Sequence, residues 1–170
     1  MCVTRQAGGK EACMAAKDVV ARLLSPVEVR ARVPARPEDV FAVLSDPETY
    51  PEWLAGAQRI RQVDGSFPAA GSEFHHEVGP SDGATVADRT EVRAVDPPHR
   101  LELEVHAGPV RGIVEFELER TGEGTLVTFR ERVDGALGAA MPALRGPIFV
   151  RNKSSLDKLR QRFEPLVVRL

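Results

Sequence analysis

The sequence predicts an α+β domain: a curved seven-stranded antiparallel sheet wrapped around a long C-terminal helix, with two short helices between strands 1 and 2. Three observations carry this reading. Apolar and polar residues alternate with period two up to Val33 and again from Gln58 to Val133, cut only by short turn-forming clusters. Strands joined by turns that short pair as an antiparallel meander. Beyond them Ile148, Asn152, Ser155, Leu159 and Phe163 recur at three-to-four spacing, the period of a helix. Finally, 170 residues with 42% hydrophobic and 28% charged side chains suit one domain, which buries about 70% of its unfolded surface. A sheet with one apolar face needs a cover, and the last helix is the only element long enough to give it. Such layers commonly hold a ligand between them.

The elements follow in order. Residues 1–24 read as an N-terminal extension, flexible or helical, in which Val19, Val20, Leu23 and Leu24 share one side before Ser25-Pro26 stops the pattern; residues 25–170 form the domain. Val27, Val29, Ala31 and Val33 then face one way and Glu28, Arg30 and Arg32 the other, a half-buried strand ended by Pro34. Pro37 is tolerated in a first helical turn, Glu38 and Asp39 suit its positive end, and Val40, Phe41 and Leu44 make its apolar stripe. Asp46-Pro47 closes that helix and opens a second, to Leu54, punctuated by Pro51. Six strands are expected near Gln58 to Val63, Ser72 to Val78, Ala84 to Val95, Leu101 to Ala107, Arg111 to Arg120 and Thr125 to Val133. Asp64-Gly65, Pro80 to Gly83, Asp96-Pro97-Pro98, Gly108-Pro109 and Thr121 to Gly124 separate them. Pro142 and Pro147 predict a kinked or broken start to the last helix.

Composition excludes several partners. With 23 Lys and Arg against 25 Asp and Glu, no global positive field exists to hold a phosphate backbone, so nucleic acid is not expected. Cys2 and Cys13 lack the spacing of a disulfide framework or a zinc site, and His75 and His76 point to opposite faces of a strand; no metal is expected. No apolar run approaches the length of a membrane span, so stable membrane insertion is not expected and a cytoplasmic location is. No nucleophile elbow, Walker loop or dinucleotide fingerprint occurs, and no cofactor is implied. Apolar residues in the tail Pro165 to Leu170 leave open a monomer or a weak homodimer.

The segments VPARPEDVFAVLSDPETYPEWLAGAQRIRQVD, TEVRAVDPPHRLELEV and RNKSSLDKLRQRFE, in this order, resemble the START-like (SRPBCC, helix-grip) superfamily, in its bacterial polyketide cyclase/dehydrase-type branch. The resemblance spans about Val27 to Glu164, and Asp46-Pro47 with Tyr50-Pro51 and Trp53, Val95-Asp96-Pro97-Pro98 and Arg151-Asn152 carry most of it. It implies a helix-grip fold and a pocket, with Tyr50 and Trp53 near its mouth. The superfamily includes lipid carriers, cyclases, hormone receptors, quinone-binding proteins and co-chaperones, so the fold does not choose among them.

Strand parity nominates the polar groups of that pocket, because residues two apart share a face. His76 shares its face with Phe74 and Val78; Asp88 with Ala84, Val86, Thr90 and Val92; Glu131 with Val127, Phe129 and Val133. Asn152 interrupts the apolar helix stripe between Ile148 and Leu159. The expected ligand-binding set is Tyr50, Trp53, Phe74, His76, Asp88, Thr90, Phe116, Phe129, Glu131, Ile148 and Asn152, for a small hydrophobic or aromatic molecule carried or sensed. An alternative makes His76 with Asp88 or Glu131 catalytic, moving a proton in a polyketide cyclase or dehydratase. The same groups also suit a satisfied buried network without chemistry. A third reading is a protein- or membrane-interaction module. It would use the N-terminal segment or the basic last helix, with seven Lys and Arg between Arg145 and Leu170 against Asp157 and Glu164 alone.

Overall fold

Strand alternation and helix period are both realised in a computed structural model, which describes residues 25–79, 84–108 and 110–164. The possible helix before Ser25 and the tail from Pro165 lie outside the described residues. Strand β1 (Val27–Val33) leads to α1 (Pro37–Leu44), a 3₁₀ turn (Pro47–Thr49) and α2 (Tyr50–Trp53). Six strands follow: β2 (Ala57–Val63), β3 (Glu73–Val78), β4 (Val86–Asp96), β5 (Arg100–Ala107), β6 (Val110–Thr121) and β7 (Gly124–Asp134). A second 3₁₀ segment (Gly135–Ala140) enters α3 (Met141–Gln161). The curved antiparallel sheet has the order β1-β7-β6-β5-β4-β3-β2, so β1 returns beside the last strand.

Local chemistry explains the starts and turns. The Asp46 carboxylate accepts the Glu48 N–H at 3.2 Å, capping the 3₁₀ turn as the sequence predicted. Gly124 opens β7 at φ +127°, where a Cβ would run into the Val33 carbonyl, so only glycine fits against the end of β1. The expected break at Pro147 is absent: α3 is continuous from Met141 to Gln161. Proline there removes the single hydrogen bond to the Ala143 carbonyl, while packing of α3 on β1 and β7 holds the remaining turns.

One core unites Val33, Val40, Leu44, Trp53, Leu101, Phe116, Val127, Leu156 and Leu159. A smaller cluster of Val27, Met141 and Ile148 ties the N-terminal half of α3 to β1. On the outer face, Glu28 accepts from Arg130 at 2.7 Å and Arg30 at 2.8 Å. The Arg130 hydrogen bond, above all, holds the Glu28 carboxyl below the usual glutamate range. A depressed folded value means that this stabilisation is complete above the unfolded pKa of about 4.3. It is lost as pH falls through the folded value. In urea titrations run from neutral to acid pH, Glu28→Gln flattens part of the acid loss. The effect stays below about 1 kcal/mol, since the pair is partly exposed and screened. An unchanged acid limb refutes this.

Candidate functional site

The curvature of the sheet and the lie of α3 leave a cavity of about 680 Å³ between them. Its walls come from α2 and the following loop, from the start of β2 and from β3 to β7, and from α3. Phe74, Leu103, Val105, Val114, Phe116, Phe129 and Val133 make most of the sheet side apolar. The rings are braced edge to face: Tyr50 on Phe74 at 5.3 Å, and Phe74 on the His76 imidazole at 4.9 Å. Phe116 and Phe129 lie 4.5 Å apart with their planes tilted by 34°.

Four polar groups of the wall form two fixed pairs. His76 and Asp88 are register partners across β3 and β4, which brings side chains on one face together. His76 Nε2 stands 3.0 Å from Asp88 Oδ2, with the side chains 5% and 1% exposed. Asp88 Oδ1 accepts the backbone N–H of His106 on β5 at 3.2 Å, and Thr90 Oγ1 lies 3.4 Å from the same Nε2. The carboxylate is therefore oriented from two strands. In the neutral ring that donates Nε2–H to this carboxylate, Nδ1 is an acceptor. That buried Nδ1 has no hydrogen-bond partner among the described residues. A second recess of about 250 Å³, lined by Arg61, Gln62, His75, His76, Ala87 and Asp88, reaches the same pair.

The second pair is Glu131 on β7 and Arg151 on α3, joined by a short charge-assisted hydrogen bond. The arginine side chain is 46% exposed and the glutamate 11%. Arg130 binds Glu28 and Glu117 on the outer face, and Arg145 donates to the Ser25 carbonyl.

Of the expected ligand-binding residues, Tyr50, Phe74, His76, Asp88, Thr90, Phe116, Phe129 and Glu131 line the cavity. Three do not. Trp53 is fully buried behind the wall, edge to face with Tyr50 and Phe116, its indole N–H donating to Thr49 Oγ1 at 3.2 Å. Ile148 belongs to the cluster against β1. Asn152 is wholly buried, its Oδ1 3.4 Å from the Arg151 guanidinium and its Nδ2 unpartnered among the described residues. Val86, assigned inward by parity, is 53% exposed, since it begins β4 beyond the cover of α3.

Tyr50 lines the wall but donates its hydroxyl to the Leu44 carbonyl at 2.6 Å. Burial, with the nearby Asp46 charge, pushes its phenol far above the ordinary value, so it stays neutral. Sequence reasoning overlooked Arg151, Lys158 and the stretch Leu54 to Gln58, all of which line the cavity. The two cations stood within the basic count of the last helix, Arg151 also within a motif of the resemblance, and neither signal pointed to the cavity. Most of that basic charge is met within the chain: Lys153 pairs with Asp157, Arg160 with Glu164 and Arg162 with Glu52. No helix among the described residues is long and apolar enough to cross a membrane.

A family model described as polyketide cyclase / dehydrase and lipid transport matches residues 26–164. The chain belongs to this family. No curated protein matches it. Solved structures share the fold. A Rhodobacter sphaeroides protein aligns with TM-score 0.68 and 22% identity over 84% of this chain and 94% of its own. The di-domain ARO/CYC StfQ from the steffimycin biosynthetic pathway aligns with TM-score 0.65 and 15% identity over 88% of this chain and 54% of its own. DynU16, from the dynemicin biosynthetic locus, aligns with TM-score 0.58 and 22% identity over 83% and 48%. Membership in the polyketide cyclase / dehydrase and lipid transport family is consistent with a ligand-binding or a cyclase role.

Proposed function

We propose that this family member binds a small, predominantly apolar or aromatic molecule between sheet and helix, as a carrier or sensor, with the His76–Asp88 pair orienting its polar end. The cavity itself carries the reading. Its volume of about 680 Å³ falls in the range of about 300–1,000 Å³ typical of small-molecule sites. Its wall sets aromatic rings around few, mutually fixed polar groups. Apolar ligand surface withdrawn from water there gains about 25 cal/mol per Å², and the fixed pair selects an orientation.

Native mass spectrometry of freshly purified protein, with extraction of any passenger, tests this, followed by a thermal-shift series with flat aromatic and aliphatic probes. An apolar passenger, or a melting temperature raised by such probes, is expected. A chain that arrives empty and is stabilised by none of them overturns the reading.

A second reading is favoured by one observation, the buried imidazole–carboxylate pair in the cavity wall. In a cyclase or dehydratase, Asp88 would hold the His76 tautomer while the ring moves a proton on a folded polyketide-like chain. The likeness to StfQ supports this chemistry as an option. Glu131 is a weaker proton carrier here, being tied to Arg151. His76→Ala separates the readings. An enzyme loses turnover by about tenfold or more with affinity nearly kept, whereas a carrier changes in affinity alone.

A further inference from the structure

Resting on the ligand-binding reading above, we propose that the ligand is an amphipathic carboxylate and that Lys158 determines this specificity by pairing with its acidic end at the cavity mouth. The charges of the wall lead there by elimination. Asp88 is taken by His76 and by the His106 N–H, and Glu131 by Arg151. Lys158 lines the same cavity and has no carboxylate partner among the described residues. Its neighbours on α3 differ: Lys153 is paired at 3.1 Å and Arg160 at 3.2 Å, and Arg162 is bound by Glu52. Of the two helix cations that line the cavity, Arg151 is paired with Glu131, and Lys158, solvent-exposed, has no carboxylate partner among the described residues.

Placement fits the same role. Lys158 comes seven residues after Arg151, two turns along one flank, about 10 Å at about 1.5 Å per residue. Between them Ser155 Oγ accepts the Ala55 N–H at 3.0 Å and donates to the Arg151 carbonyl at 3.0 Å, fixing this flank against the loop after α2. Lys158 lines the cavity together with Leu54, Ala55 and Gly56 of that loop and Gln58 of β2. A lysine whose methylene stem covers apolar wall while its ammonium stays in water suits an amphiphile. The aromatic body passes inward with its far polar group at the His76–Asp88 pair, and the carboxylate remains at the rim, partly hydrated. An amine at that end would meet the Lys158 ammonium with like charge.

Calorimetric titration of the full chain with two matched pairs tests the inference: naphthoic acid against methyl naphthoate, and anthracenecarboxylic acid against its methyl ester. The acids bind about five- to tenfold more tightly than their esters, the margin shrinks with added salt, and Lys158→Gln abolishes it while Lys153→Ala leaves it. If acids and esters bind alike, or the margin survives in Lys158→Gln, the carboxylate inference is overturned and the ligand-binding reading stands. If neither member of either pair binds the wild-type chain, the ligand-binding reading fails and the inference fails with it.

Discussion

Trp53→Ala destabilises the fold by about 3–5 kcal/mol, the range for truncating a large buried aromatic. The indole is fully buried, contacts Tyr50 at 5.3 Å and Phe116 at 6.0 Å between ring centroids, and donates to Thr49. It joins the short α2 to the middle of β6, and α2, with four residues, has no helical stability of its own. Removing the ring opens a void behind two residues that line the cavity, so Tyr50 and Phe116 lose their backing. Ligand affinity therefore falls although Trp53 touches no ligand. Urea unfolding followed by circular dichroism measures the loss, since the protein's single tryptophan is itself removed. A loss under about 1 kcal/mol contradicts this packing account. Trp53→Phe, which keeps most of the contact but not the N–H, falls between the two.

Parity makes much of the sheet and the buried pair legible in the sequence. The strand Val27 to Val33 is bounded by its own alternation and by Pro34. His76 and Asp88 can be placed on one face because the irregularity in β4 lies beyond them, between Val92 and Ala94. An extra residue shifts parity only on its C-terminal side. Trp53 is harder, because a four-residue helix has no period from which to tell wall from backing. The helix stripe misleads at Ile148 for a related reason. Its residues share one azimuth, yet the N-terminal half meets β1 and the C-terminal half meets the main core. Which residues border a cavity depends on how far the helix stands from the sheet, and that distance is set by tertiary contacts such as Ser155 with Ala55. Arg151 and Lys158 therefore cannot be told from solvated cations by spacing alone.

His76→Leu with Asp88→Leu leaves a chain about as stable as the wild type, while Asp88→Leu alone costs about 1–3 kcal/mol, the usual consequence of leaving a buried donor unsatisfied. The single change strips the imidazole of its carboxylate in a site where the side chains are 5% and 1% exposed. It also frees the His106 N–H, a loss the double variant shares, so that contribution cancels between them. In the double variant the orphaned His76 Nδ1 is gone as well, and a buried unsatisfied group of this kind costs about 1–3 kcal/mol. Apolar replacement thus recovers what the polar pair gives up. A pair that costs stability where leucines would not has its explanation in what the cavity holds. The double variant accordingly folds with wild-type cooperativity yet binds polar-ended aromatic ligands about tenfold more weakly. Equal losses of stability in the single and double variants, with ligand affinity unchanged, would assign the pair to the core instead of the site.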